Sequence, residues 1–197
     1  MIVISEDIAL EALGSKIIRT VCDYNGDIIP TGKRGHGYVR SRIPEIRRSA
    51  QQLRFLLMLD GDVLGGLTPD QLLADWFQVD IPANICAYFA VQEAENWILA
   101  DRHGVAEFFG IALNATPVPN DALENAKETF ARTAARSRYK DIRLDMVPRD
   151  GMRAPVGPGY NLQLTSFVEN YWDPERARIN SVSLNHMLEN VCDCINS

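Results

Sequence analysis

Asp60 and Asp62, with only Gly61 between them, are the residues whose spacing most directly suggests chemistry. Glycine leaves no side chain in the way of a tight turn, so both carboxylates can approach one hard cation, magnesium or manganese. The same Asp-Gly step also reads as a plain turn after a strand. Further acids, Glu6, Glu93 and Glu95, stand near other expected strand ends. A thiolate or imidazole zinc site is not suggested. Cys22, Cys86, Cys192 and Cys194 show no Cys-x-x-Cys spacing, and His36, His103 and His186 are scattered. Cys192 and Cys194 read as half-buried residues of a terminal helix in a reducing compartment.

The elements that must position these acids follow from apolar patterning. Leu56 to Leu59 is an apolar run cut off by Asp60, which reads as a buried strand delivering both aspartates to a sheet edge. Met1 to Ser5 reads as a first strand and Asp7 to about Cys22 as a helix, with Leu10, Leu13, Ile17, Ile18 and Val21 toward the sheet. Glu6 then lies at the strand-helix junction, where it can reach the same edge or, with Asp7, simply complement the helix dipole. Asn25 to Tyr38 reads as a mobile basic loop and Ile43 to Leu53 as a helix. Thr68 and Pro69 open a helix that runs to about Phe77.

Asn84 to Val91 reads as another strand, and Gln92 to Ala100 as the helix after it. On that helix Glu93, Trp97 and Asp101 share a face and Glu95 points elsewhere. Glu93 is thus the better placed of the two glutamates, or a plain helix-start acid, and Trp97 reads as core. Further helices are expected over residues 102–110, 121–135, 161–171 and 181–191, with an irregular Pro- and Gly-rich segment over 146–160. The fold class is α/β, a mostly parallel sheet flanked by helices over residues 1–115, with a helical and irregular extension over 116–197.

The chain has 197 residues, 46% of them apolar, enough to bury a core, and a net charge of −6 that argues against indiscriminate binding to polyanions. The charge is uneven. Lys33, Arg34, Arg40, Arg42, Arg47, Arg48 and Arg54 are opposed only by Glu45, and no Lys or Arg occurs from Phe55 to Asp101. A second basic stretch runs from Arg132 to Arg153. An acidic centre between basic arms suits a metal site beside a phosphate-bearing substrate, and it also suits solvated helix faces. No apolar run approaches the roughly 18 residues of a membrane span, and the start lacks an export signal, so a soluble cytoplasmic protein is expected.

The ordered set Glu6, Asp60-Gly-Asp62 and Glu93-Ala-Glu95-Asn-Trp97-Ile-Leu-Ala-Asp101 resembles the Toprim domain of topoisomerases, primases and OLD-family nucleases. In those domains a Glu after the first strand and an Asp-x-Asp after a later one hold magnesium. The Glu-x-Glu-x-Trp segment resembles short bacterial Toprim-like families often found beside ABC-type ATPases in anti-phage contexts. One position departs from the pattern: Asp7 stands where such domains carry Gly after the Glu.

The resemblance implies a Rossmann-like fold and magnesium-dependent (or manganese-dependent) phosphodiester cleavage of DNA or RNA. Glu6, Asp60, Asp62 and Glu93 or Glu95 would be the metal ligands, and Lys140 a contact to the scissile phosphate unless it is a solvated helix-end lysine. Arg34, Arg40, Arg42 and Arg47 would guide the nucleic-acid backbone. An ABC-type ATPase is the implied partner, and an edge strand offers a route to a homodimer. A non-catalytic regulatory or interaction module, or a small nucleotide phosphohydrolase, are the competing expectations.

Overall fold

A computed structural model describes residues 1–78, 80–149, 151 and 153–196. The chain divides into two compact units, one of Met1–Val91 with His186–Ser197 and one of Gln92–Asn185.

The first unit is built on strands β1 (Ile2–Ser5), β2 (Ile29–Gly32), β3 (Phe55–Asp60) and β4 (Ile85–Ala90), with helices α1 (Ile8–Thr20), α2 (His36–Ser49) and α3 (Pro69–Phe77) between them. Among the described residues these strands form one all-parallel sheet in the order β2-β1-β3-β4. This is a Rossmann-like arrangement. Residues 55–59 are buried throughout because both faces of β3 are covered, which is why the run is continuously apolar. Gly14 of α1 sits against Val3, Leu56 and Met58 on one face. On the other, Ile4, Leu57 and Leu59 join a cluster with Val39, Ile43 and Ile46 of α2 and Leu73 and Phe77 of α3. The chain leaves β1 toward β2 and returns on its far side to β3. The carboxyl ends of β1 and β3 therefore flank the point where strand order reverses, the place where open parallel sheets leave a crevice for ligands.

Helix α3 begins as its sequence requires. The Thr68 hydroxyl accepts from Gln71 N–H at 3.3 Å while the Gln71 side chain accepts from Thr68 N–H at 2.9 Å, with Pro69 at the first helical position.

The second unit is helical: α4 (Glu95–Ala100), α5 (Arg102–Phe109), α6 (Ala126–Ala134), α7 (Lys140–Met146), α8 (Tyr160–Asn170) and α9 (Pro174–Ala177). Helix α10 (Val182–Asn196) begins in it, and its residues from His186 onward belong to the first unit. Trp97 is fully buried, its indole N–H on the Ser183 hydroxyl at 2.8 Å and its carbonyl accepting from the Trp172 indole at 3.0 Å. Phe109, Phe130 and Phe167 pack ring to ring in the same unit's core. No helix among the described residues is long and apolar enough to cross a membrane.

Several local expectations are corrected. The stretch over 25–38 is not one loop: Ile29–Gly32 is a parallel edge strand, and α2 starts at His36, well before Ile43. An edge position tolerates Pro30, whose missing N–H faces away from the ladder. Gly32 adopts φ +115°, and a Cβ there would run into the Ser5 carbonyl. Helix α4 starts at Glu95, because Gln92 takes a positive φ of 63° that a helix cannot continue through. Helix α6 starts at Ala126 and not at Asp121, and α7 was not anticipated. Asp150 and Met152 of the expected irregular segment lie outside the described residues.

The cysteines are not free thiols. Cys22 is bonded to Cys192, and Cys86 to Cys194, all within the first unit. Cys86 is in register with Leu56, so the end of α10 is clasped to the face of the sheet that α1 covers. Partners separated by 170 and 108 residues leave no local spacing to read.

Candidate active site

Glu6 is the first residue beyond β1. Its N–H donates to the Met58 carbonyl of β3 at 3.3 Å and its own carbonyl accepts from Gly35 N–H at 2.9 Å. The residue is thus pinned between β3 and the loop that enters α2. Asp7, next in sequence, has extended backbone angles and caps α1 by accepting from Leu10 N–H at 2.9 Å. No left-handed geometry is needed here, so an aspartate in place of glycine leaves the turn intact.

Asp60 closes β3, and its side chain hydrogen-bonds that of Glu6. It makes no capping bond to the short 3-10 turn that follows, Gly61–Leu64. Asp62 lies exposed in that turn, close enough for its charge to be felt by Glu6.

Glu6 is only 9% exposed, and its Oε2 is buried with no hydrogen-bond partner. Burial raises its pKa above the ordinary carboxylate value, the negative charges of Asp62 and Asp7 push in the same direction, and the Asp60 hydrogen bond and His36 pull back. A buried acid among like charges favours a proton or a cation. The donors are all hard oxygens, which suits Mg2+ or Mn2+. Among the described residues no three His, Cys, Asp or Glu side chains form a ready metal cage. Mg2+ characteristically keeps several waters and takes one or two carboxylates, so an open pair such as Glu6 and Asp60 fits it without a closed cage.

Two residues escaped the sequence reading. His36, first residue of α2, is felt electrostatically by Glu6, and its place in a Gly-His-Gly run gave no ligand spacing to notice. Glu11, one turn into α1, has a buried Oε2 without a partner, while its Oε1 pairs with Lys33 Nζ at 3.1 Å. An acid one turn after a helix cap is a common dipole partner, which is why it drew no attention.

The basic residues of α2 and the loop before it are largely engaged. Arg34 lies over the Tyr38 ring at 5.3 Å, Arg40 pairs with Asp75 at 3.0 Å, Arg42 pairs with Glu45, and Arg47 donates to the Phe77 carbonyl at 3.3 Å.

The remaining expected site residues belong to the second unit. Glu93 accepts from Lys127 N–H at 3.0 Å. Glu95 is buried, accepting from the Tyr160 hydroxyl at 3.0 Å with Lys127 Nζ at 4.0 Å. Lys140 is the exposed first residue of α7. Asp101 is buried and accepts from Gly104 N–H, Asp173 N–H and, twice, the Arg176 guanidinium at 2.8 and 2.9 Å. Compared with protein-family models, curated proteins and solved structures, the chain has no significant match.

Proposed function

We propose that this chain is a Toprim-like, magnesium-dependent nuclease that hydrolyses phosphodiester bonds at the carboxylates of its first unit. One observation carries the reading: Glu6, buried with an unpartnered oxygen and raised proton affinity, is hydrogen-bonded to Asp60 where the strand order reverses. In this reading Asp60, with Asp62 beside it, supplies the oxygens for Mg2+ or Mn2+. The bound ion would lower the pKa of a water and screen charge on the phosphate. Glu6, ionised when the cation is bound, would take the proton of the attacking water, and its raised proton affinity suits it to that role. The loop Lys33–His36 and the arginines of α2 approach the polyanion. By the same resemblance the chain acts as an effector in anti-phage defence beside an ABC-type ATPase.

The competing reading is a non-catalytic module that binds an ATPase or a nucleotide. It is favoured by Arg40 and Arg42 being already paired with Asp75 and Glu45. The two are separated by incubating wild-type protein and Asp60→Ala with labelled single- and double-stranded DNA and RNA, transfer RNA included, in Mg2+ or Mn2+. The nuclease reading expects divalent-dependent cleavage that falls at least about a hundredfold in Asp60→Ala. Cleavage that survives the substitution identifies a contaminant, and no cleavage by either protein supports the module. Phosphate release from a mononucleotide panel tests the third possibility, a small phosphohydrolase.

A further inference from the structure

Within the second unit, a concavity of about 340 Å3 lies between α6 and the turn over residues 114–117. Asn114, Thr116, Thr129, Thr133, Arg132 and Arg136 line it, and among the described residues no carboxylate does. Arg132 lies in the last turn of α6 and Arg136 in the turn just beyond its end, and both line the concavity.

Both guanidinium groups are held by neutral oxygens. Arg132 Nη2 donates to the Thr129 hydroxyl at 3.0 Å, and Arg136 Nη1 donates to the Ala115 carbonyl at 3.3 Å. The opposite wall is fixed by a third arginine. Arg102 donates through Nε to the Thr116 hydroxyl at 2.9 Å and through Nη2 to the Leu113 carbonyl at 2.9 Å, and Thr116 itself donates to that carbonyl at 2.7 Å. Among the described residues none of these three arginines is in an ion pair. In a chain of net charge −6, these are three positive charges with no ion-paired acid among the described residues.

The C-terminal dipole of α6 accounts for part of the preference for cations here. It does not account for a concave wall that adds hydroxyl groups and excludes carboxylates. Arginine forks match the oxygens of a phosphate, and prior anchoring to neutral oxygens reduces the side-chain entropy lost on binding one.

We propose that Arg132 and Arg136, backed by Arg102 through Thr116, form a phosphate-binding site in the second unit. The ligand chemistry is a phosphate oxyanion, from either a nucleic-acid backbone or a small phosphorylated molecule. The site stands independently of the nuclease reading, and its test is run in EDTA so that a chain that never cleaves still answers it.

Binding of a fluorescent oligothymidylate is measured by anisotropy across a salt series for wild type, Arg132→Ala/Arg136→Ala and the charge-retaining Arg132→Lys/Arg136→Lys, with thermal unfolding to confirm that each folds. Inorganic phosphate and AMP are titrated separately. The wild type should bind, and the alanine pair should lose about tenfold in affinity with a salt slope lower by about 2. The lysine pair should bind between the two, because charge remains and the planar fork is lost. Binding of phosphate or AMP alone identifies a small-molecule site, and binding of the oligonucleotide alone identifies a backbone site; either supports the proposal. Equal affinity and salt slope in wild type and alanine pair overturn it, as does failure of wild type to bind any of the three probes at low salt.

Discussion

The carboxyl of Glu6 is hydrogen-bonded to that of Asp60, so the ends of β1 and β3 are joined through two acids. Burial, with the charges of Asp62 and Asp7, raises the proton affinity of Glu6, and the Asp60 contact and His36 lower it.

Because the pKa of Glu6 is raised on folding from its ordinary 4.5, the folded state binds this proton more tightly than the unfolded chain. The stabilisation is complete below pH 4.5 and is lost as pH rises through the higher folded value. Glu6→Gln, uncharged throughout, does not suffer that loss. In EDTA the variant should melt close to wild type in acid and a few degrees above it at neutral pH, as read by differential scanning fluorimetry. Added Mg2+ should raise the wild-type melting temperature and leave the variant nearly unchanged. A variant less stable than wild type at neutral pH without metal would contradict the raised proton affinity.

Glu95 accepts a buried hydrogen bond from Tyr160. Glu95→Ala should cost about 1–3 kcal/mol in urea unfolding, through loss of that acceptor. Glu93 is half-buried and accepts from the Lys127 backbone N–H, so Glu93→Ala should cost less, about 1 kcal/mol. A reversed order would show that the contacts of the second unit are misassigned.

Asp101 supports two backbone N–H groups and the Arg176 guanidinium from a fully buried position. Removing Asp101 leaves the N–H groups of Gly104 and Asp173 without their acceptor, about 1–3 kcal/mol each, while Arg176 is exposed enough to turn to water. Asp101→Ala should therefore unfold at markedly lower denaturant, whereas Asp173→Ala, which removes a cap over the first turn of the four-residue α9, should cost about 1 kcal/mol.

Protein prepared without reductant should contain no titratable thiol when denatured. Each bridge closes a long loop, and its reduction should cost about 2–5 kcal/mol, seen as a lower melting temperature in the presence of a phosphine reductant. Four free thiols in the native protein would refute the pairing.

The legible parts of the fold were those whose burial is local. The runs Ile2–Ser5, Phe55–Asp60 and Ile85–Ala90 are buried strands and read as apolar segments. Glu6 and Asp60 were found because carboxyl ends of parallel strands share one edge, so two acids at strand ends converge whatever the loops do. Strand β2 was missed because Ile29-Pro30-Thr31-Gly32 is short, solvent-facing and contains two residues that usually break strands. His36 comes within reach of Glu6 through the way α2 docks, and the disulfides form through the closing of a distant helix. None of these leaves a periodicity or a spacing behind.

The first unit is interrupted: its sheet is finished by Ala90, yet the helical turns bearing Cys192 and Cys194 come only after the ninety-four residues of the second unit. During synthesis the sheet therefore emerges with α1 on the face that carries Cys86 but without the end of α10, and Cys22 and Cys86 wait for their partners until translation has passed Cys194. Replacing Cys192 and Cys194 would remove the covalent lock on a sheet made long before them in the chain.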